Sequence, residues 1–279
     1  MSYSAEISRQ NPACIIFLVD QSASMAKPFG AQPDKKKADG LADAINRLLQ
    51  TLCIKCGRAD GIREFFQVGV IGYGQGVKSA LGGALSGQGL IPIGQIAQHP
   101  LRVENRTRQV PDGAGGLVPQ TLKFPLWFEP VANGKTPMRE ALVLARDWLE
   151  SFLASHPDCF PPLVINLTDG AADEDPSAAA DDVRQLQSSD GKVLLLNIHL
   201  SARADAPIMF PNDEQNLPDD FARQLFRMSS VLPDPFVDVA RSEGFQISSS
   251  ARGFAFNGDL VAVIRFLDIG TRVALAHKE

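Results

Sequence analysis

The sequence predicts an α/β protein of the Rossmann-like, doubly wound kind, with a mainly parallel central sheet and helices on both faces. Two observations carry this. Short apolar runs recur at Ile15–Val19, Phe65–Tyr73, Leu163–Thr168 and Val193–Leu200. Their near-continuous hydrophobicity is that of strands buried on both faces. Between them lie segments whose apolar residues recur at spacings of three and four, the signature of one-sided helices. Alternation of the two over 279 residues, 44% of them hydrophobic, gives layered α/β architecture with ample core.

The first strand ends abruptly at Asp20, with Ser22 and Ser24 on the loop beyond. After an irregular stretch containing Pro28, Gly30 and Pro33, a helix is expected from Ala38 through Leu41, Ile45, Leu48, Leu49, Leu52 and Cys53 to Cys56. Phe65–Tyr73 is the second strand. Residues 74–133 are rich in glycine and proline and are expected to form an irregular insertion without helices, carrying an edge strand or hairpin. A strong helix begins at Pro137, a residue suited to the first helical position. The strand Leu163–Thr168 follows, and then a helix opened by Asp175-Pro176. Val193–Leu200 is the next strand, and residues 201–218 form a smaller insertion. Helices are expected near Asp219–Met228 and Pro235–Ser242, a last strand at Gly253–Phe256, and a closing helix over Leu260–Ile269 capped by Asn257 or Asp259. One domain over 1–279 is expected, with tails at 1–12 and 273–279.

A formal net charge of −5 and a pI near 5.4 leave no basic footprint for nucleic acid. No apolar run is long enough for a membrane span, and the polar start, Met1–Pro12, does not read as a secretory signal, so a cytoplasmic location is expected. Cys53-Ile-Lys-Cys56 has the CxxC form, but both cysteines continue the apolar face of a helix and no second CxxC or His pair completes a site. His99, His156, His199 and His277 show no ligand spacing.

The chemistry gathers at strand ends. In open α/β sheets the carboxyl edge of the strands binds ligands. Asp20, Ser22 and Ser24 lie there. If the sheet is parallel, the loop Asn133–Pro137 brings Thr136 and the end of the third strand brings Asp169. Hydroxyl and carboxylate oxygens suit a small hard cation. Singly, each of these residues reads equally as a cap or turn former.

Asp20-x-Ser22-x-Ser24, a Thr opening a later helix and an Asp ending the next apolar strand resemble the von Willebrand factor A domain and its metal-ion-dependent adhesion site. The resemblance implies that Ser22 and Ser24 touch a metal, Mg²⁺ or else Mn²⁺ or Ca²⁺, and that Thr136 binds directly or through water. Asp20 and Asp169 would act through water or hydrogen bonds. Position 23, often Gly in the family, is Ala here. The implied function is non-enzymatic: an open metal position accepts an Asp or Glu of a partner protein. In general layout the chain is also similar to bacterial tellurium-resistance-associated members, which suggests a signalling or stress-response role beside a Ser/Thr kinase or PP2C-like phosphatase. Asp173 and Glu174, beside Asp169, are expected to favour the following helix N-terminus, with tuning of the site as the lesser reading.

Three rivals were weighed. Gly134-Lys135-Thr136 resembles the end of a phosphate-binding loop, but Glu129 stands where that loop needs Gly. A Mg²⁺-dependent haloacid-dehalogenase-like phosphatase would use Asp20 as nucleophile. Its motif needs an acid two residues later, where Ser22 stands and cannot do acid–base work near neutral pH. Trp127 and Phe128 would make an aromatic anchor for a partner if exposed, though burial is the expected fate.

Overall fold

The computed structural model describes residues 3–29, 32–111, 116–200 and 207–257. At its centre is β1 (Ala13–Asp20), every residue of which is buried. Strand alternation sends Ile15, Phe17 and Val19 to one face and Cys14, Ile16 and Leu18 to the other. α1 (Lys37–Cys56) covers the first face with Leu41, Ile45, Leu49 and Leu52, and the chain returns as β2 (Phe66–Tyr73), parallel to β1.

Residues 74–133 depart from expectation. β3 (Val77–Ser79) and β4 (Ile91–Pro92) pair antiparallel with β2 and belong to the main sheet. A helix is also present: α2 (Ile93–Gln98), which buries Ile93 and Ile96. Six residues containing Gly94 are too few to display a helical period. The expected hairpin does form, as a separate ribbon of β5 (Arg102–Pro111) and β6 (Leu117–Leu126). Trp127 and Phe128 follow it into the core. The Trp127 indole N–H donates to the Ile96 carbonyl at 2.6 Å and its backbone N–H to Asn46 Oδ1 at 2.8 Å. Burial removes them as a surface anchor.

α3 (Met138–Ser155) then crosses the opposite face with Met138, Ala141, Leu142, Ala145 and Leu149, and leads to β7 (Leu163–Thr168), parallel to the other side of β1. α4 (Ser177–Gln185), β8 (Leu194–His199), β9 (Ile208–Met209), α5 (Asp220–Met228), α6 (Asp234–Ser242) and β10 (Phe254–Phe256) complete the described chain. The sheet order is β9-β10-β8-β7-β1-β2-β3, with β4 also on β2; β3, β4 and β9 are antiparallel to their neighbours and the rest run parallel. α6 shares the face of α1, while α4 and α5 share that of α3.

The N-terminal stretch is strapped down. Ile7 is buried, the Tyr3 hydroxyl donates to the Lys192 carbonyl at 3.0 Å, and Asp190 accepts the N–H groups of Ser4 and Ala5 at 2.8 and 2.9 Å. The expected helix over 260–269, the tail at 273–279 and residues 201–206 lie outside the described residues. Among the described residues no helix is long and apolar enough to cross a membrane.

Candidate functional site

The sheet order turns at β1. Its first neighbour, β2, arrives over one face and its second, β7, over the other, so the loops leaving β1 and β7 diverge above a crevice. Asp20 ends β1, Ser22 precedes the short 3-10 turn Ala23–Ala26 and Ser24 lies within it. Asp169 follows β7 and Thr136 precedes α3. The structure brings all five together.

Asp20 is 1% exposed, and both its oxygens are engaged: Oδ1 accepts the Ser22 N–H at 2.8 Å and Oδ2 the Thr168 hydroxyl at 2.6 Å. Ser22 Oγ and Ser24 Oγ stand 2.9 Å apart, and the Ser24 hydroxyl donates to Asp169 Oδ1 at 2.5 Å. A Cβ placed on Gly170 would lie 3.5 Å from Ser24 Oγ and 4.0 Å from Thr136 Oγ1, so Gly170 leaves room between the two hydroxyls. Thr136 does not spend its hydroxyl capping α3, whose N-cap position is Pro137. Asp173 clamps its backbone instead: Oδ2 accepts the Thr136 N–H at 2.9 Å, and the Asp173 N–H donates to the Thr136 carbonyl at 3.1 Å. Asp173 thus does more than favour a helix N-terminus.

Backbone hydrogen bonds lace the loops. Gln21 N–H donates to Tyr73 O at 2.7 Å, Ala23 N–H to Gly134 O at 3.0 Å and Asn133 N–H to Gln21 O at 2.7 Å. Such close approach demands glycine. A Cβ on Gly74 would sit 2.6 Å from Asn133 O and 2.7 Å from Gln21 O, and Gly134 has a φ of +92°.

Two charges dominate. Burial raises the Asp20 pKa above the usual carboxylate range, and the Asp169 charge adds to this, against hydrogen bonds from Ser22 and Thr168 that lower it. Asp169 is paired with Lys37: Nζ to Oδ2 is 2.8 Å, with the side chains 4% and 1% exposed. Behind the site, burial and then the Asp20 charge push the Tyr73 phenol well up, and its O–H donates to Asn166 Oδ1 at 2.7 Å. Asn166 Nδ2 donates to Asn197 Oδ1 at 2.9 Å and Asn197 Nδ2 to Ser229 Oγ at 3.0 Å, a polar relay through the core.

The oxygens fit a divalent cation. Adjacent ligands of an octahedral ion with bonds of about 2.0–2.1 Å stand about 2.9 Å apart, as Ser22 Oγ and Ser24 Oγ do. Ser24 gives its O–H to Asp169, so Ser22 donates the hydrogen bond between the two hydroxyls; a cation seated between them would take the lone pairs of both. Among the described residues no set of three or more His, Cys, Asp or Glu side chains converges as a metal site, so the candidate rests on hydroxyls. Cys56 is buried, and burial pushes the Cys53 thiol up to about 12, which favours packing over metal or redox use. Two clefts, of about 720 and 630 Å³, flank the Asn133–Lys135 loop; neither is lined by the five candidate residues.

Lys37, Thr168 and Tyr73 were not legible as site residues. Lys37 alone left a trace: a lysine in the first turn of an apolar helix, the end where a cation is disfavoured.

No family model and no curated protein matches the sequence. Solved structures do. Proximal thread matrix protein 1 from the mussel byssus is similar at 16% identity and a TM-score of 0.47, over 97% of this chain and 48% of that one. The PilB minor pilin from Streptococcus sanguinis is similar at 10% identity and a TM-score of 0.49, over 96% and 62%. A von Willebrand factor type A structure from Catenulispora acidiphila is similar at 16% identity and a TM-score of 0.38, over 67% and 33%. The chain therefore spans less than two thirds of each of these structures. By its own topology it is a doubly wound α/β protein with an oxygen-rich cluster at the turn of its strand order, and von Willebrand factor type A is among its structural likenesses.

Proposed function

We propose that the chain is a non-enzymatic protein-interaction module. Asp20, Ser22, Ser24, Thr136 and Asp169 would hold a divalent cation, Mg²⁺ or else Mn²⁺ or Ca²⁺, and a partner's Asp or Glu would dock on it. The observation that carries this is the pair of serine oxygens 2.9 Å apart, with Asp169 accepting the Ser24 hydroxyl and Asp20 holding the Ser22 backbone N–H. When bound, the ion supplies positive charge that neutral hydroxyls leave largely uncompensated, and so attracts an incoming carboxylate. The chain's own residues orient the hydroxyls and shield the contact from water, which strengthens it. This is the arrangement of a metal-ion-dependent adhesion site. The resemblance of layout extends the proposal to a bacterial cytoplasmic signalling or stress-response assembly, with a Ser/Thr kinase or PP2C-like phosphatase as the partner presenting the acid.

Isothermal titration with Mg²⁺ or Mn²⁺ tests the reading. Saturable heat in the wild type, lost in Asp20→Ala, is expected. Absence of binding at millimolar metal in the wild type, and equally in a variant that lacks the Lys37 charge beside Asp169, would overturn it. Nothing in the site favours the phosphatase alternative: Asp20 is 1% exposed, with Ser22 where the acid should be.

A further inference from the structure

We propose that Lys37 is an internal cation that competes with the divalent ion for Asp169, so that the cluster takes up metal only as the Lys37 ammonium withdraws. This rests on the metal reading above and adds a control to it.

Lys37 opens α1, and its backbone N–H is tied to the Lys27 carbonyl at 3.0 Å. A helix N-terminus repels positive charge, and a lysine there ordinarily points to solvent. Lys37 instead runs inward. Its ammonium, 4% exposed, reaches Asp169 Oδ2 at 2.8 Å. Neither the helix dipole nor burial favours that path; the carboxylate does. The other oxygen of the same carboxylate accepts the Ser24 hydroxyl at 2.5 Å. The ammonium thus stands one carboxylate away from the serine pair that would ligate the metal.

Two consequences follow. Lys37 neutralises one of the two carboxylates that would balance a divalent ion, and the two cations repel at short range in a medium that screens poorly. The lysine can yield, because its side chain makes one polar contact, the Asp169 pair that the metal would contest, while its backbone stays pinned. Its four-carbon stem is flexible, and the adjoining Lys36 is exposed. Removing Lys37 while metal is absent leaves Asp169 without its partner charge, a state that a divalent ion then relieves.

The test is titration of the full chain with Mn²⁺, read by calorimetry and by the metal-induced rise in unfolding temperature. Lys37→Met and Lys37→Gln keep the length of the stem and remove the charge; Lys37→Arg keeps the charge. At least a tenfold lower dissociation constant is expected in Met and Gln, with a larger thermal shift than in wild type, and no gain in Arg. Binding by the Met or Gln variant where the wild type shows none supports the proposal in its strongest form. Equal or weaker affinity in both neutral variants, with binding lost in Asp20→Ala, overturns the role of Lys37 and leaves the metal reading standing. No binding by the wild type or any variant overturns both.

Discussion

Asp20 sits in tension with its surroundings. Its folded-state pKa is raised, chiefly by burial. The folded protein therefore holds a proton that the unfolded chain gives up, and stability falls as pH rises from the ordinary Asp value, about 3.9, through the folded value. At neutral pH an ionised Asp20 costs stability. In chelator, Asp20→Asn is accordingly expected to unfold at the same or a higher temperature than wild type at pH 7, with the advantage vanishing near pH 4. The same variant should show no heat on Mn²⁺ titration. Stabilisation without metal, joined to loss of metal response, would separate a ligand-binding acid from one kept for the fold; a marked destabilisation at pH 7 would contradict this account. The neighbouring hydroxyl of Thr168 can turn to the Gly170 carbonyl, 3.2 Å away, when Asn replaces the acid.

Among the elements, strands were legible and their polar content was not. Ile15–Val19 and Leu163–Thr168 announce themselves by continuous apolar character, and α1 and α3 by their stripes. The two acids, the serines and the threonine of the site were readable because each stands where such an element stops or starts. Asn166 lies inside β7, where a lone amide among Val164, Ile165 and Leu167 gives no local sign that Tyr73 and Asn197 will meet it from strands far away in sequence. Asn166→Leu is expected to strand both, at about 1–3 kcal/mol for each unpaired group, measured by urea unfolding. α2 was hidden by its brevity. The loop crossing at Gly74 was hidden because a close approach needs two chains to be seen. Gly74→Ala should cost about 1–3 kcal/mol and weaken Mn²⁺ binding as the Gln21 and Asn133 loops part. The ribbon of β5 and β6 behaves differently. Val103, Leu117 and Leu122 are exposed on it, while Phe124 and Leu126 are buried near its base, where Arg106 lies 3.7 Å over the Phe124 ring. Replacing residues 107–121 with a two-residue Asn-Gly turn should change stability by no more than about 1 kcal/mol and leave metal binding unaltered.

At the scale of the molecule, the polar strap at the start closes the far side of the sheet. Tyr3 meets Phe160 and Phe236 edge-on, at centroid distances of 6.4 and 6.5 Å. Tyr3→Ala should lower stability by about 2 kcal/mol without touching the Mn²⁺ isotherm, since the strap and the cluster share no residues. The central strand has a further consequence. β1 is made first, yet one of its two partners, β7, is encoded about 150 residues later. During synthesis that flank must stay open, with Ile15 to Val19 unpaired on one edge, until Leu163–Thr168 has left the ribosome. Asp169 emerges at the same late moment. A nascent chain stalled or truncated before it would present a sticky edge, and would lack the carboxylate that Ser24 and Lys37 meet in the folded protein.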